Sequence, residues 1–252
     1  MRTAPLASLL ALALCLGAPT VRRALAAEAP PPAADVHAAN AAGKAVFLVV
    51  TDGGQGRDEA RRVAEAAASL APGTTVLDLD RQDPARARAV EAYRIAAAPV
   101  PLVLVVASNG VPVGAQRPAD GAAARLVALL PSPAKAAWLK HASEGRITLL
   151  AFTHGGMAGR SAAWTAANEA VRRLEGRAGL VLVDTQDAAE ARFLAQVKVS
   201  AEAAAPVVLV MNAKAQVLGR LEGEAASADA LVKAAEAKAP CCADPGCKSC
   251  GS

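Results

Sequence analysis

Aromatic side chains are scarce: the 252 residues include two tryptophans, one tyrosine and three phenylalanines. A surface that stacks nucleobases needs several aromatics interleaved with basic residues, and no stretch of this chain supplies them. Cysteine is absent from the whole interval between Cys15 and Cys241, so no thiol chemistry can be placed in the body of the chain. Histidine occurs three times, at His37, His141 and His154, too sparsely to mark a metal cluster by spacing. Nor is there an apolar run of the roughly 20 residues that a membrane-spanning helix requires. The formal charge is +4, but Arg2, Arg22 and Arg23 fall in a leader expected to be removed. Taking those three from the 27 basic residues leaves 24 against 23 acidic ones, and a balance of about +1 gives no basis for nucleic-acid binding.

What is abundant is alanine, valine and leucine, within an apolar fraction of 54%. That is enough for two ordinary cores in a chain of this length. Residues 1–26 read as a signal peptide: Arg2 is the positive start, residues 6–18 the apolar core, and Ala24-Leu25-Ala26 the small-X-small cleavage site. The expected localisation is therefore periplasmic or secreted, with no integral membrane span. Cys15 invites comparison with a lipoprotein box, but Leu14 stands where a small residue should precede the cysteine. Residues 27–34 form a Pro/Ala-rich lead, too proline-dense for a helix.

The remainder is built twice. An apolar strand, Ala45 to Thr51, breaks at Asp52-Gly53-Gly54 and leads into an amphipathic helix from about Arg57. A second, Ile147 to Thr153, breaks at His154-Gly155-Gly156 and leads into a helix from about Ser161. Each copy continues with Asp-X-Gln-Asp, at Asp80 to Asp83 and Asp184 to Asp187, and then with a proline, Pro101 or Pro206, that opens another apolar strand. A period near 100 residues makes each copy domain-sized, so residues 35–131 and 132–238 are read as two domains joined at Pro131-Ser132-Pro133. Within the first, helix periodicity, strand runs and the Asn109-Gly110 hairpin signal predict the order α-β-α-β-α-β-β-α.

This pattern resembles the thioredoxin-like fold, a mixed central sheet flanked by helices, over nearly all of residues 36–130 and again over about 134–237. The residues that carry the resemblance are Phe47-Leu48-Val49-Val50-Thr51-Asp52-Gly53-Gly54 with Val100-Pro101-Leu102, and Phe152-Thr153-His154-Gly155-Gly156 with Ala205-Pro206-Val207. The resemblance implies that Pro101 and Pro206 stand where the family has a cis-proline facing its Cys-X-X-Cys motif, and a cis bond is expected at Ala205-Pro206 ahead of Val100-Pro101. It also implies cysteines where this chain has Gly54 and Arg57, and Gly156 and Gly159. Two tandem domains lacking that motif are the expectation.

Glycine loops at helix starts suit anions, but neither loop has the Gly-X4-Gly-Lys-Ser/Thr spacing, and they are read as tight turns. His154 is read as a solvated loop residue, Trp138 and Trp164 as packing residues, and Asp80 and Asp184 as helix-start or loop residues. Chemistry concentrates in residues 239–252, with Cys241, Cys242, Cys247 and Cys250. Three readings are open to four thiols so placed. They could gather a soft metal, Cu(I) or Zn(II); they could form disulfides or tether a partner; or Cys247 and Cys250 could be a catalytic redox pair with Lys248 lowering a thiol pKa. No other cofactor is indicated. The functional expectation is an exported, redox-inactive protein-binding or scaffold module whose partners are other exported proteins. The alternative is a thiol–disulfide oxidoreductase or redox relay that uses the tail.

Overall fold

The computed structural model describes residues 33–237. The leader with Cys15, nearly all of the Pro/Ala-rich lead, and the tail with Cys241, Cys242, Cys247 and Cys250 lie outside the described residues.

The first unit runs α1 (Ala34–Ala41), β1 (Ala45–Thr51), α2 (Arg57–Leu70), β2 (Thr74–Asp80), α3 (Ala87–Ala92), β3 (Leu102–Val106), β4 (Pro112–Gln116) and α4 (Ala122–Leu129). Its strands lie in the order β2-β1-β3-β4. β1 is parallel to β2 and antiparallel to β3, and β4 is antiparallel to β3. The second unit repeats this with α5 (Pro133–Ser143), β5 (Ile147–Thr153), α6 (Arg160–Arg173), β6 (Ala178–Asp184), α7 (Ala191–Val197), β7 (Val207–Met211), β8 (Val217–Glu222) and α8 (Ala228–Glu236). Its order is β6-β5-β7-β8 with the same directions. Both sheets are thus the thioredoxin-like arrangement, two tandem α/β units of it.

A strand flanked on both edges and both faces has no polar side to show, which is why β1 and β5 read as continuous apolar runs. Val46, Leu48 and Val50 pack with α1 and α3, while Phe47 and Val49 pack against α2 and α4. In the second unit Leu150 and Phe152 face α5 and α7, and Leu149 and Ala151 face α6 and α8. Scarce aromatics are pooled here: Phe193 lies 5.9 Å from Trp138 in a stacked pair and 6.1 Å from Phe152. The α2 and α6 helices instead bury alanines, Ala60, Ala64 and Ala67 in one and Ala163, Ala167 and Ala170 in the other, so their backbones can approach the sheet closely.

The prolines behave differently from expectation. Val100–Pro101 is the cis bond and Ala205–Pro206 is trans. The loop before Pro101 is gathered by Arg81, whose guanidinium takes three of its carbonyls. At Pro206 the carbonyl is instead drawn to Gly223 N at 2.8 Å. Both rings nevertheless lie against a helix start. Gly56 and Gly159 are the N-caps of α2 and α6, with φ of +68° and +78°. A Cβ on Gly56 would stand 2.7 Å from Pro101 Cγ, whereas one on Gly159 would meet Pro206 at an ordinary 3.6 Å.

The two glycines therefore make a matched test. Left-handed backbone costs a residue with a Cβ about 1–2 kcal/mol, and Gly56→Ala must displace a proline as well. Gly159→Ala is expected to lower unfolding free energy by about 1 kcal/mol and Gly56→Ala by about 2–3 kcal/mol, read from urea titrations of the two variants. Equal losses would show that the Pro101 contact is not a constraint.

Candidate functional site

The two elbows, where β1 meets α2 and β5 meets α6, are where the fold places chemistry. Counting back from the helix starts at Arg57 and Arg160 pairs Gly53 and Gly56 with Gly156 and Gly159. Gly54 and Arg57 of the first unit, the positions expected from the Gly-Gly alignment, are thus one residue out of step. The helix register and the proline contacts agree on the corrected pair. Each elbow presents Gly-X-X-Gly, its second glycine against a proline ring, and neither contains a cysteine.

The first elbow is locked by charge. Arg81 donates from Nε to Asp52 Oδ1 at 2.8 Å and from Nη2 to Asp52 Oδ2. Its Nη1 reaches the carbonyls of Ile95, Ala96 and Ala98 at 2.7, 3.0 and 2.7 Å. One side chain thereby ties the loop after β1 to the loop before Pro101. These hydrogen bonds hold the Asp52 carboxyl below its ordinary range. Asp80 closes the turn, accepting from Gly53 N and Gln82 N, both at 3.0 Å. On the flank, Arg57 and Arg61 both donate to Asp78 Oδ2, at 2.7 and 2.5 Å, and Arg61 also holds Glu65 at 2.8 Å.

The second elbow keeps the aspartate turn and lacks the arginine fork and the flanking ion pairs. In register, His154 replaces Asp52, Thr185 replaces Arg81, Trp164 replaces Arg61 and Leu182 replaces Asp78. His154 Nδ1 accepts a long 3.4 Å bond from Gly156 N, which is a loop contact. Thr185 Oγ1 donates to Ala201 O at 3.2 Å, so the second loop is held by one neutral bond where the first has an arginine fork. Asp184 turns the chain by accepting from Gln186 N at 2.9 Å.

Trp164, expected to pack inward, is 48% exposed, and Leu182 is 51% exposed. The reason is positional: the ion-pair flank of the first unit has become an apolar one, and no described element covers it. A cleft of about 610 Å³ opens there, bounded by Trp164, Leu182, Thr153, Arg160 and Asp184. β6 is the edge strand of its sheet, and its central residues Leu180-Val181-Leu182-Val183 carry no charge, whereas β2 carries Asp78. Trp138, by contrast, is buried as expected. Arg81 and Leu182 were not singled out from the sequence; superposing the two repeats at their Asp-X-Gln-Asp segments, Asp80 on Asp184, would have exposed the Asp78-to-Leu182 exchange. Groups of three or more potential metal ligands do not occur among the described residues, and the four tail cysteines lie outside them. No described helix is long and apolar enough to cross a membrane.

Removing the Arg81 guanidinium would leave the partly buried carbonyls of Ile95 and Ala98 without their donor, while water can replace it at the exposed Ala96 carbonyl, at about 1–3 kcal/mol for a lost charged partner. Arg81→Ala is expected to cost about 2–3 kcal/mol by urea titration, and Arg81→Lys to recover less than half, because an ammonium cannot reproduce the fork. The Asp52 arm has a pH signature. Its carboxyl is depressed in the folded state, so its contribution is complete above the unfolded carboxylate pKa of about 3.9 and disappears as pH falls through the folded value. The stability gap between the wild type and Asp52→Asn should be present at neutral pH and close in acid. A gap that stayed constant from pH 7 to pH 2 would mean that the ion pair contributes nothing.

No protein-family model matches the chain, and no curated protein sequence does. Among solved structures it is similar to crystal form II of ERdj5, at 12% identity and a TM-score of 0.27, over 75% of this chain and 26% of that one. It is also similar to the zinc-bound form of human ERp44, at 8% identity and a TM-score of 0.34, over 79% of this chain and 54% of that one. The chain therefore spans about a quarter of the first protein and about half of the second. Scores of that size decide nothing by themselves, and the fold rests on the strand order and directions of the two sheets, which make this chain a pair of tandem thioredoxin-like units.

Proposed function

We propose that this chain is an exported protein-binding module, built from two thioredoxin-like units that lack the dithiol, which engages partners through the second elbow. The observation that carries this reading is the exchange of the Arg57/Arg61–Asp78 ion pairs for the exposed Trp164–Leu182 pair at the same place in the repeat. Surface ion pairs contribute about 0–1 kcal/mol, so losing them costs the fold little. Tryptophan is among the residue types most enriched in binding anchors, and Leu182 extends the apolar surface beside it. The adjoining edge strand has unpaired backbone donors and acceptors, and a partner in extended form can lie along β6 with one apolar side chain in the cleft. The partners are other exported proteins, and the tail cysteines serve to tether them by disulfide or to hold Cu(I) or Zn(II).

The second reading, a thiol–disulfide oxidoreductase, rests on the sequence Cys247-Lys248-Ser249-Cys250 and makes the tail the active group. An insulin-reduction assay separates the two: dithiol-dependent turnover that disappears in Cys247→Ser would overturn the scaffold reading. The binding reading is tested with fluorescent extended peptides of alternating apolar and polar residues, followed by polarisation. Leu182→Asp and Trp164→Ala alter only exposed side chains and are expected to weaken binding at least tenfold with the melting temperature unchanged. Peptide affinity that survives both substitutions sinks the proposed groove.

A further inference from the structure

The opposite face of the second sheet carries a different site. Between α5, α7 and the β7–β8 hairpin lies a cavity of about 770 Å³, closed on its far side by Val113 and Leu129 of the first unit. A volume of this order accommodates a drug-sized ligand. Its floor is apolar, with buried Trp138, Phe193, Leu209 and Met211. Its rim carries four cations, Lys135, Arg192, Lys198 and Arg220, and no acidic residue lines it.

These cations are largely uncompensated. Arg220 is paired with Glu222 at 2.8 Å, and Lys135 donates to the neutral Gln196 amide at 2.8 Å. Among the described residues Arg192 and Lys198 have no carboxylate partner within salt-bridge distance. Burial, and next the nearby Arg192 charge, pull the Lys135 pKa down, as expected where positive groups converge without an anion. The fold itself does not require this composition. In the first unit Val36 and Ala89 stand in register with Trp138 and Phe193, and Ala33 and Ala115 stand where Lys135 and Arg220 are. Arg192 and Lys198 themselves stand in register with Arg88 and Arg94, so the second unit has added Lys135, Arg220 and the aromatic floor to two cationic positions that both units share.

We infer that this cavity binds a long-chain carboxylate, with the alkyl chain over Trp138, Phe193, Leu209 and Met211 and the carboxylate at Arg192 and Lys198. The apolar floor supplies the favourable transfer of the chain. The guanidinium supplies paired donors that match a carboxylate, and together with the ammonium it supplies the charge selectivity. The inference does not depend on the peptide groove, which lies against α6.

The test uses the full chain carrying Trp164→Phe, which leaves Trp138 as the sole tryptophan. Oleate, kept below its aggregation concentration, is expected to shift Trp138 emission saturably at one equivalent. The double variant Arg192→Glu/Lys198→Glu, both exposed positions, should weaken oleate at least tenfold, and oleyl alcohol should bind the parent at least tenfold more weakly than oleate. Val217→Glu, at the exposed mouth, should weaken oleate as well. The inference is overturned if oleate leaves Trp138 emission unchanged, if the alcohol binds as tightly as the acid, or if charge reversal leaves the affinity intact. An acidic apolar peptide that competes for the site and binds more tightly than oleate would also overturn it, by assigning the cavity to a protein partner.

Discussion

Burial of the central strands on both faces is the constraint from which the rest follows. Every residue from Val46 to Val50 is at most 1% exposed, as is every residue from Leu149 to Phe152. Strands so enclosed can hold no functional polar group, so whatever the units do must happen where these strands end or where their sheets stop. Both ends of that logic appear here. The elbows sit at the carboxyl ends of β1 and β5, and the exposed apolar pair sits beside the edge strand β6. Each fully buried Leu or Phe side chain contributes on the order of 1.5–3 kcal/mol, so this core tolerates extensive change around it.

That tolerance is visible in how the two copies solve the same problems. The turn after β2 must be fastened to the leading helix. In the first unit Arg86 does so by reaching Asp35 at 2.9 Å. In the second, Glu190 stands in register with Arg86 and is buried, accepting from Ala134 N at 2.8 Å and from the Ser132 hydroxyl. There the carboxylate meets the start of α5, where unpaired N–H groups and the helix dipole favour negative charge. The fastening survived while its chemistry was exchanged. At the elbows the exchange went further: the Arg81 fork and the Asp78 ion pairs have no counterpart beside His154 and Trp164. One unit has become a closed scaffold and the other has kept its surface open.

Most of this architecture was legible in the chain. Continuous apolar runs marked β1 and β5, Asn109-Gly110 marked the β3–β4 turn, and repetition supplied the second unit. What escaped has specific causes. The unit-one pair was displaced because the second loop is one residue longer between strand and helix, so aligning on Gly-Gly misplaces everything after it. Residue type marks Trp164 as packing, but the inward face of α6 is Ala163, Ala167 and Ala170, and Trp164 stands on the flank in register with Arg61, beside the edge strand β6. Arg81 satisfies three backbone carbonyls, an arrangement that leaves no trace in residue type or spacing. The choice of proline for the cis bond depends on how those same loops are held, which is a tertiary matter.

The helix α5 has a role that neither unit explains alone. Asn109 at the tip of the first unit's hairpin donates to Ala136 O of α5 at 2.6 Å, while Glu190 of the second unit caps the same helix. Ser132 and Pro133 stiffen its entrance, so α5 is gripped from both sides within one turn of its start. Trp138, one half-turn further on, is therefore positioned by contacts from both units. The cavity it floors is walled by Val113 and Leu129 of the first unit and by α7 of the second. A fold that duplicated a closed domain has in this way produced a site that neither copy could form by itself. The covalent link between the copies then matters for binding as much as for folding, because it holds the two walls at a fixed separation without an association cost.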